Sequence, residues 1–323
     1  MALPNQITMK KRNIITYVTL VALIFITFWV ALTNGASHFS IFKMNATQLN
    51  TIFNIRLPKI IAAFIAGAAL SVSGAFFQGA LRNPIADPGF MGISAGASLF
   101  QFIGALILPS FLTGQFLMAF IGGFLALFIL IHFQPRMNPY RLILIGVALN
   151  ATFTGIQEVF PVSQGRSNIS LSTITWTSTF WLVILGIIGL MAAIIITPWC
   201  NYLKVNDAQL GSLGISASRL RSGLLAVAVF LATTVTVSAG VILFIGIIIP
   251  HIGRWLLGHD YRHLIPFSIL AGGWMLLFAD TLGRLIIQPS EIPAATILII
   301  IGGPFLIFIL SKQPQGDSTN ATS

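Results

Sequence analysis

Several residue groups in this sequence have spacings that chemistry could use. GISAG at 92–96 puts Ser94 in the GxSxG spacing of a nucleophile elbow. Acyl transfer would need a strand before it and His and acid partners. The preceding segment instead holds Pro84 and Pro88, and a helix is expected to follow. Gly92, Ser94 and Gly96 therefore read as tight packing at a helix start. His259 and His263 flank Asp260 at metal-ligand spacing, but a zinc site takes three or four ligands with support behind them. His251, the other histidine nearby in sequence, belongs to a different stretch, so a polar loop explains this group better. GxxxxGK[ST] is absent from the chain, as is any Gly-Lys pair, so the sequence has no phosphate loop. If ATP drives this protein, another subunit must bind it. Cys200 is the single cysteine, which excludes an internal disulfide and a thiolate metal site.

Other polar residues stand inside apolar runs. Gly146, Asn150, Thr154 and Glu158 recur every fourth residue and form one polar stripe on a helix. An acidic group at the bilayer centre is disfavoured by roughly 2.5–3.5 kcal/mol, so this face should meet a bundle interior or a wet pathway. Hydrogen bonding between helices, with Glu158 at the interface, is the plainer alternative. Asp280 and Arg284 are placed to pair along one helix face. Ala63, Gly67, Ser71, Ala75 and Gly79 form a stripe of small residues that lets helices approach closely.

The elements carrying these residues follow from composition. Of 323 residues, 56% are hydrophobic and 7% charged, and the mean hydropathy is +0.93. Soluble domains carry about 25% charge, so the chain belongs in a bilayer. At about 20 residues per crossing, ten candidate spans are read: 14–33, 58–80, 92–109, 114–133, 139–160, 178–199, 221–239, 242–257, 264–283 and 295–311. Gly246 and Pro250 interrupt the eighth. The runs are apolar all round, unlike the alternating strands of a barrel. The first is too long for a signal h-region and is expected to be retained. The whole chain, 1–323, reads as one polytopic membrane domain, with a cytoplasmic segment at 1–12 and a disordered cytoplasmic tail at 313–323. VSGAFFQG at 72–79 and VSAGVILFIG at 237–246 form a weak internal echo.

With the amino terminus inside, the cytoplasmic cations are Lys10, Lys11, Arg12, Arg82, Arg136, Arg141, Lys204, Arg219, Arg221, Arg254, Arg262 and Lys312, leaving Lys43, Arg56, Lys59, Arg166 and Arg284 outside. That asymmetry follows the positive-inside rule and places both termini in the cytoplasm. The net charge of +10 thus reflects topology, and no nucleic-acid partner is expected.

RLPK at 56–59, GAALSVSGAFFQGALRNPIADPGFMGISAGASL at 67–99, FIGIIIPHIGRWLLGHDYRHLIP at 244–266, ADTLGR at 279–284 and EIPAATILIIIGGPF at 291–305 resemble the FecCD family in the same order. These are permease subunits of ABC importers for iron-siderophores, haem and cobalamin. The resemblance covers about residues 56–310. It implies a ten-helix all-α permease of the bacterial cytoplasmic membrane, paired with a second permease of the same or another chain. Two cytoplasmic ATPases, which use the ATP, and an extracytoplasmic binding protein complete the assembly, and this chain binds no cofactor of its own. Arg56, Lys59 and Arg284 correspond to family positions that meet acidic side chains of the binding protein, with charge steering as the physical reason. NDAQLGSLGIS at 206–216 is similar to the short inner helices that sit in the ATPase, which implicates Asp207, Ser212, Leu213, Gly214 and Ile215 in coupling. Leu210 and Gly211 depart from the family pattern there, as does the run after Trp176.

The implied mechanism is alternating access, in which ATPase movements open the permease pair to one side and then the other. The stripe Asn150, Thr154 and Glu158 and a helix break at Gly302, Gly303 and Pro304 are the candidate pathway features. Ferric siderophore is the expected cargo, with haem or cobalamin as the alternative. The rival classes are an ion-coupled secondary transporter and a membrane enzyme using Ser94 or His251.

Overall fold

The computed structural model describes residues 6–34, 45–108, 112–133, 139–160, 169–287 and 290–312. The tail at 313–323 and the cations Lys43, Arg136 and Arg166 lie outside the described residues. The helices are α1 (Gln6–Thr33), α2 (Ala46–Thr51), α3 (Leu57–Ala80), α4 (Ile93–Ile107), α5 (Leu112–Phe133) and α6 (Pro139–Glu158), followed by α7 (Trp176–Cys200), α8 (Asp207–Ser212), α9 (Ala217–Ala239), α10 (Ile245–Leu257), α11 (Tyr261–Ile286) and α12 (Ala294–Ser311). No strand occurs among the described residues. Each of the ten apolar runs falls on a helix. Of the two additional pieces, α2 forms within a segment whose sequence reads as a loop, and α8 within the segment that resembles the short inner helices of the family. A π-helical turn at Ile52–Arg56 joins α2 to α3.

By length and composition, seven helical stretches among the described residues can cross a membrane, and α4 and α10 are apolar but shorter. The chain is thus an all-α multi-pass membrane protein. α4 is short because the loop at 81–92 folds back among the helices, burying Asp87, Met91 and Asn83. α10 is short for a related reason: α9 ends at Ala239, and the chain turns before the helix begins after Phe244, whose φ is 72°. The two helix starts meet where the Phe90 and Phe244 rings pack edge to face at 4.9 Å. The echo at 72–79 and 237–246 therefore has a structural counterpart. In each case a long helix is followed by a turn and a short one, and the two segments touch where Gly74 abuts Gly246.

At the centre lies α3, against α7, α9, α10 and α11. Its small-residue stripe packs on α11: Gly67 abuts the Gly272 backbone, Gly272 in turn meets Ser71, and Gly79 meets the Tyr261 hydroxyl. Lipid offers no hydrophobic drive for helices to associate, so backbone contact between small residues supplies the packing. The elbow-like GISAG does the same. Gly92 caps α4 with φ 80°, Gly96 abuts Gly122 on α5, and Ser94 is buried.

Two expectations about helix breaks are corrected. α10 runs through Pro250 and α12 runs through Gly302, Gly303 and Pro304 without interruption. A proline lacks one N–H, but packed neighbours tolerate the freed carbonyl within membrane helices. The discontinuities lie at 81–92 and 240–244 instead.

Candidate functional site

Three regions hold the residues singled out by sequence. At the end of the bundle where α1 finishes, Lys59, Asp280, Arg284 and Glu291 form a linked ion cluster. The Lys59 Nζ lies 2.5 Å from Glu291 Oε2 and 3.3 Å from Asp280 Oδ1, while Arg284 Nε lies 3.2 Å from Asp280 Oδ2. The Arg284–Asp280 contact is one of charge, because neither atom finds an aligned hydrogen bond. Arg56 Nη1 donates to Leu32 O at 2.6 Å and Arg284 Nη1 to Ala31 O at 3.3 Å. Both guanidiniums thereby satisfy carbonyls at the end of α1, where the helix dipole favours a cation. Arg56, Lys59 and Arg284 are all buried here, whereas the Glu291 side chain is 41% exposed. The Asp280–Arg284 pair was legible from its spacing. Glu291 was missed as a partner, although it opens the EIPAATIL segment, because it lies far from Lys59 in the chain.

On α6, Thr154 and Glu158 are exposed and Asn150 is half-buried, and Gly155 has open space beside it. The polar stripe therefore faces out of the single chain rather than into its core. On α12, Gly302 is buried against the Phe244 ring, Gly303 opens onto space, and Pro304 is exposed. Among the described residues, these two groups share none of the well-formed cavities. A separate cavity of about 560 Å³ near the same end as the ion cluster is lined by uncharged groups, among them Ser98, Gln101, Gln157 and Thr236.

At the opposite end, α8 begins with Asp207 and closes on Gly214, whose φ is 74°. Ile215 N bonds Leu210 O at 3.0 Å, and Gly214 N bonds Gly211 O at 3.0 Å. Leu210 is buried and anchors the helix, while Leu213 is 67% exposed at its tip. Ser212 and Gly214 are exposed as well, and Ile215 is half-buried. Asp207 Oδ1 accepts from Arg82 Nη2 and Arg221 Nη2, each at 2.8 Å. Partial desolvation works to raise the Asp207 pKa, but these two guanidiniums outweigh it and hold the carboxyl below the ordinary range. Arg82 also donates to Val205 O at 2.7 Å. It occupies a left-handed position, φ 51°, where helices usually end on glycine. Sequence reading counted Arg82 only as a cytoplasmic cation, and its presence inside RNPxADPG was the available signal.

Asp260 caps α11 by accepting from Arg262 N at 2.9 Å and also accepts from Asn201 at 2.8 Å. No cluster of three metal-ligating side chains occurs among the described residues.

Residues 14–312 match the model of the FecCD transport family. Similar relatives carry the name "Probable heme-iron transport system permease protein IsdF" in Staphylococcus aureus. The strain MSSA476 protein is 35% identical over 95% of this chain and 98% of its own length. The strain Newman protein is 36% identical with the same coverage. Among solved structures, the chain is similar to a transporter described as of the metal-chelate ABC type in an inward-facing conformation. The TM-score is 0.80 and the identity 26%, covering 93% of this chain and 99% of the other. PsaBC from Streptococcus pneumoniae, solved with a Fab, shares the fold at TM-score 0.55 and 18% identity, over 79% and 91% of the two chains.

Proposed function

Because the chain belongs to the FecCD transport family, as its match over 14–312 establishes, we propose that it is the permease through which an ABC importer carries haem iron across the bacterial cytoplasmic membrane. At the coarser level, the chain is a multi-pass ABC-importer permease for an iron compound. It is not itself an enzyme, and ATP is hydrolysed in separate subunits. The choice of haem rests on one observation: relatives 35–36% identical along 95% of this chain bear a haem-iron name. This favours the alternative over the ferric siderophore expected from sequence.

The finer reading has ten crossings with both termini cytoplasmic. A second permease copy or homologue covers the α6 face, because Thr154 and Glu158 are too polar to leave in lipid. The pathway runs beside that face and beside Gly302, Gly303 and Pro304. An extracytoplasmic binding protein docks over Arg56, Lys59 and Arg284, and the exposed Glu291 is the part of their ion cluster within reach. The buried cations act there through the field they set up or after their internal pairs rearrange. Two ATPases receive α8 and its tip, Asp207 to Ile215. Closure of the ATPases moves the tip, and this shifts the permease between its two states only by differential binding to them.

The test is uptake in proteoliposomes holding this permease, its partner ATPase and its binding protein. ATP-dependent entry of haem, absent with a hydrolysis-deficient ATPase, is expected. Entry of a ferric siderophore but not haem would reassign the cargo, and uptake driven by an ion gradient without ATPase would overturn the importer class.

A further inference from the structure

A cavity of about 440 Å³ opens at the α8 end of the bundle, between the end of α3, the turn after α7, and α10. Its wall includes Arg82, Lys204, Arg254, His251 and His259, and its lining residues include no acid. The nearby carboxylates are engaged elsewhere: Asp207 is bound to Arg82 and Arg221, and Asp260 to Asn201 and the Arg262 backbone. Arg82 is thereby balanced, whereas Lys204, which acts on Asp260 only at longer range, and Arg254 have no carboxylate within 4 Å among the described residues. Lys204 instead lies over the Tyr261 ring at 5.7 Å. Arg254 Nη1 donates to the neutral Gln78 Oε1 at 2.5 Å. Gln78 is in turn fixed by donating Nε2 to Gly246 O at 2.8 Å.

The guanidinium is thus aimed by a buried amide that does not neutralise it. Asn83 adds a donor. It is 7% exposed and lines the same cavity, and its Oδ1 is used by Ile85 N. A planar fork, an ammonium and an amide converging where no carboxylate lines the wall are the donor set that recognises a carboxylate. The cavity near the ion cluster, by contrast, offers no ionised group in its wall. His251 also packs edge to face on Phe305 of α12 at 5.9 Å, which places this wall beside the helix assigned to the pathway.

We propose that this cavity is a carboxylate-binding site that receives the acidic edge of the iron chelate on the cytoplasmic side of the permease. The proposal rests on the importer reading above and specifies which part of the cargo the chain holds. The site is open and its cations are partly solvated, so it holds the chelate transiently and lets it go.

The experiment uses the assembled transporter in lipid nanodiscs without nucleotide, titrated with haem and with haem dimethyl ester, whose carboxylates are blocked. Wild type is expected to bind haem about tenfold or more tightly than the Lys204→Gln/Arg254→Gln variant, and the ester equally in both. Lys204→Gln alone, at an exposed position, should show part of the loss and guards against misfolding of the double variant. Equal haem affinity in wild type and both variants, or an ester that binds wild type as well as haem does, would overturn the proposal. So would binding of inorganic phosphate without binding of haem, which would make the cavity a free-anion site. Haem uptake by the wild-type complex with equal affinities removes only this site, whereas uptake of neither haem nor ferric siderophore removes the proposed function itself.

Discussion

Asp280 is the residue on which the ion cluster turns, because it stands between Lys59 and Arg284 and all three are buried. Buried ion pairs add little net stability, but removing one partner leaves an uncompensated charge at a cost of about 3–5 kcal/mol. Asp280→Asn is therefore expected to lower the thermal midpoint of the purified complex sharply. Glu291→Gln, at a side chain 41% exposed, should change stability by about 1 kcal/mol or less. Equal shifts for the two variants would show that burial does not set their roles. The same geometry changes how docking must be probed. Arg284→Glu would set two acids against each other inside the bundle, so lost binding would report on folding, whereas Glu291→Lys alters the accessible charge and is expected to change the association rate with the binding protein. Spacing along one helix made the Asp280–Arg284 pair readable. The Lys59–Glu291 pair depends on α3 and the start of α12 meeting in space, which no local pattern encodes.

The helix α8 is short enough that its caps decide whether it exists. Gly214 takes φ 74° with open space around it, so a side chain there meets a backbone penalty rather than a clash. Gly214→Val should cost about 1–2 kcal/mol locally and distort the exposed Leu213 tip. ATP hydrolysis is then expected to continue while uptake falls, measured as transported cargo per ATP; an unchanged ratio would remove α8 from coupling. Arg82 gives the complementary case. Arg82→Gly relieves a left-handed arginine yet deletes its bonds to Val205 O and Asp207, so coupling should fall without loss of folded protein. The Asp207 brace also carries a pH sign. Its folded-state pKa is depressed, so its contribution is present at neutral pH and is lost only as pH falls below the ordinary carboxylate range. Coupling measured between pH 6 and 8 should show no titration from this group. Sequence located this element through the SLGI resemblance but not its brace, because Arg82 and Asp207 lie on opposite sides of several helices in the chain.

At the scale of the molecule, apolar runs located every long helix, since hydropathy and helix length are both fixed by the bilayer. They did not reveal that α4 and α10 begin inside the bundle, because 81–92 carries Arg82, Asn83 and Asp87 and its burial depends on packing between segments distant in the chain. The direction of the whole chain rests on the placement of few charges. Leu213 is exposed at the α8 end and Glu291 is exposed at the other, and three helices, α9, α10 and α11, separate them. The positive-inside reading puts Leu213 in the cytoplasm and Glu291 outside. Cys200 is the only native cysteine, buried, with its thiol directed to Ile196 O, so Cys200→Ser should give a cysteine-free chain with little disturbance. In that background, Glu291→Cys should react with an impermeant maleimide added to intact cells, and Leu213→Cys only after the membrane is opened. The reverse pattern would invert the protein, moving the ion cluster to the ATPase side and α8 to the binding-protein side. Labelling of both cysteines in intact cells would mean that an even number of crossings separates them, and would remove either α10 or a neighbour from the set of spans.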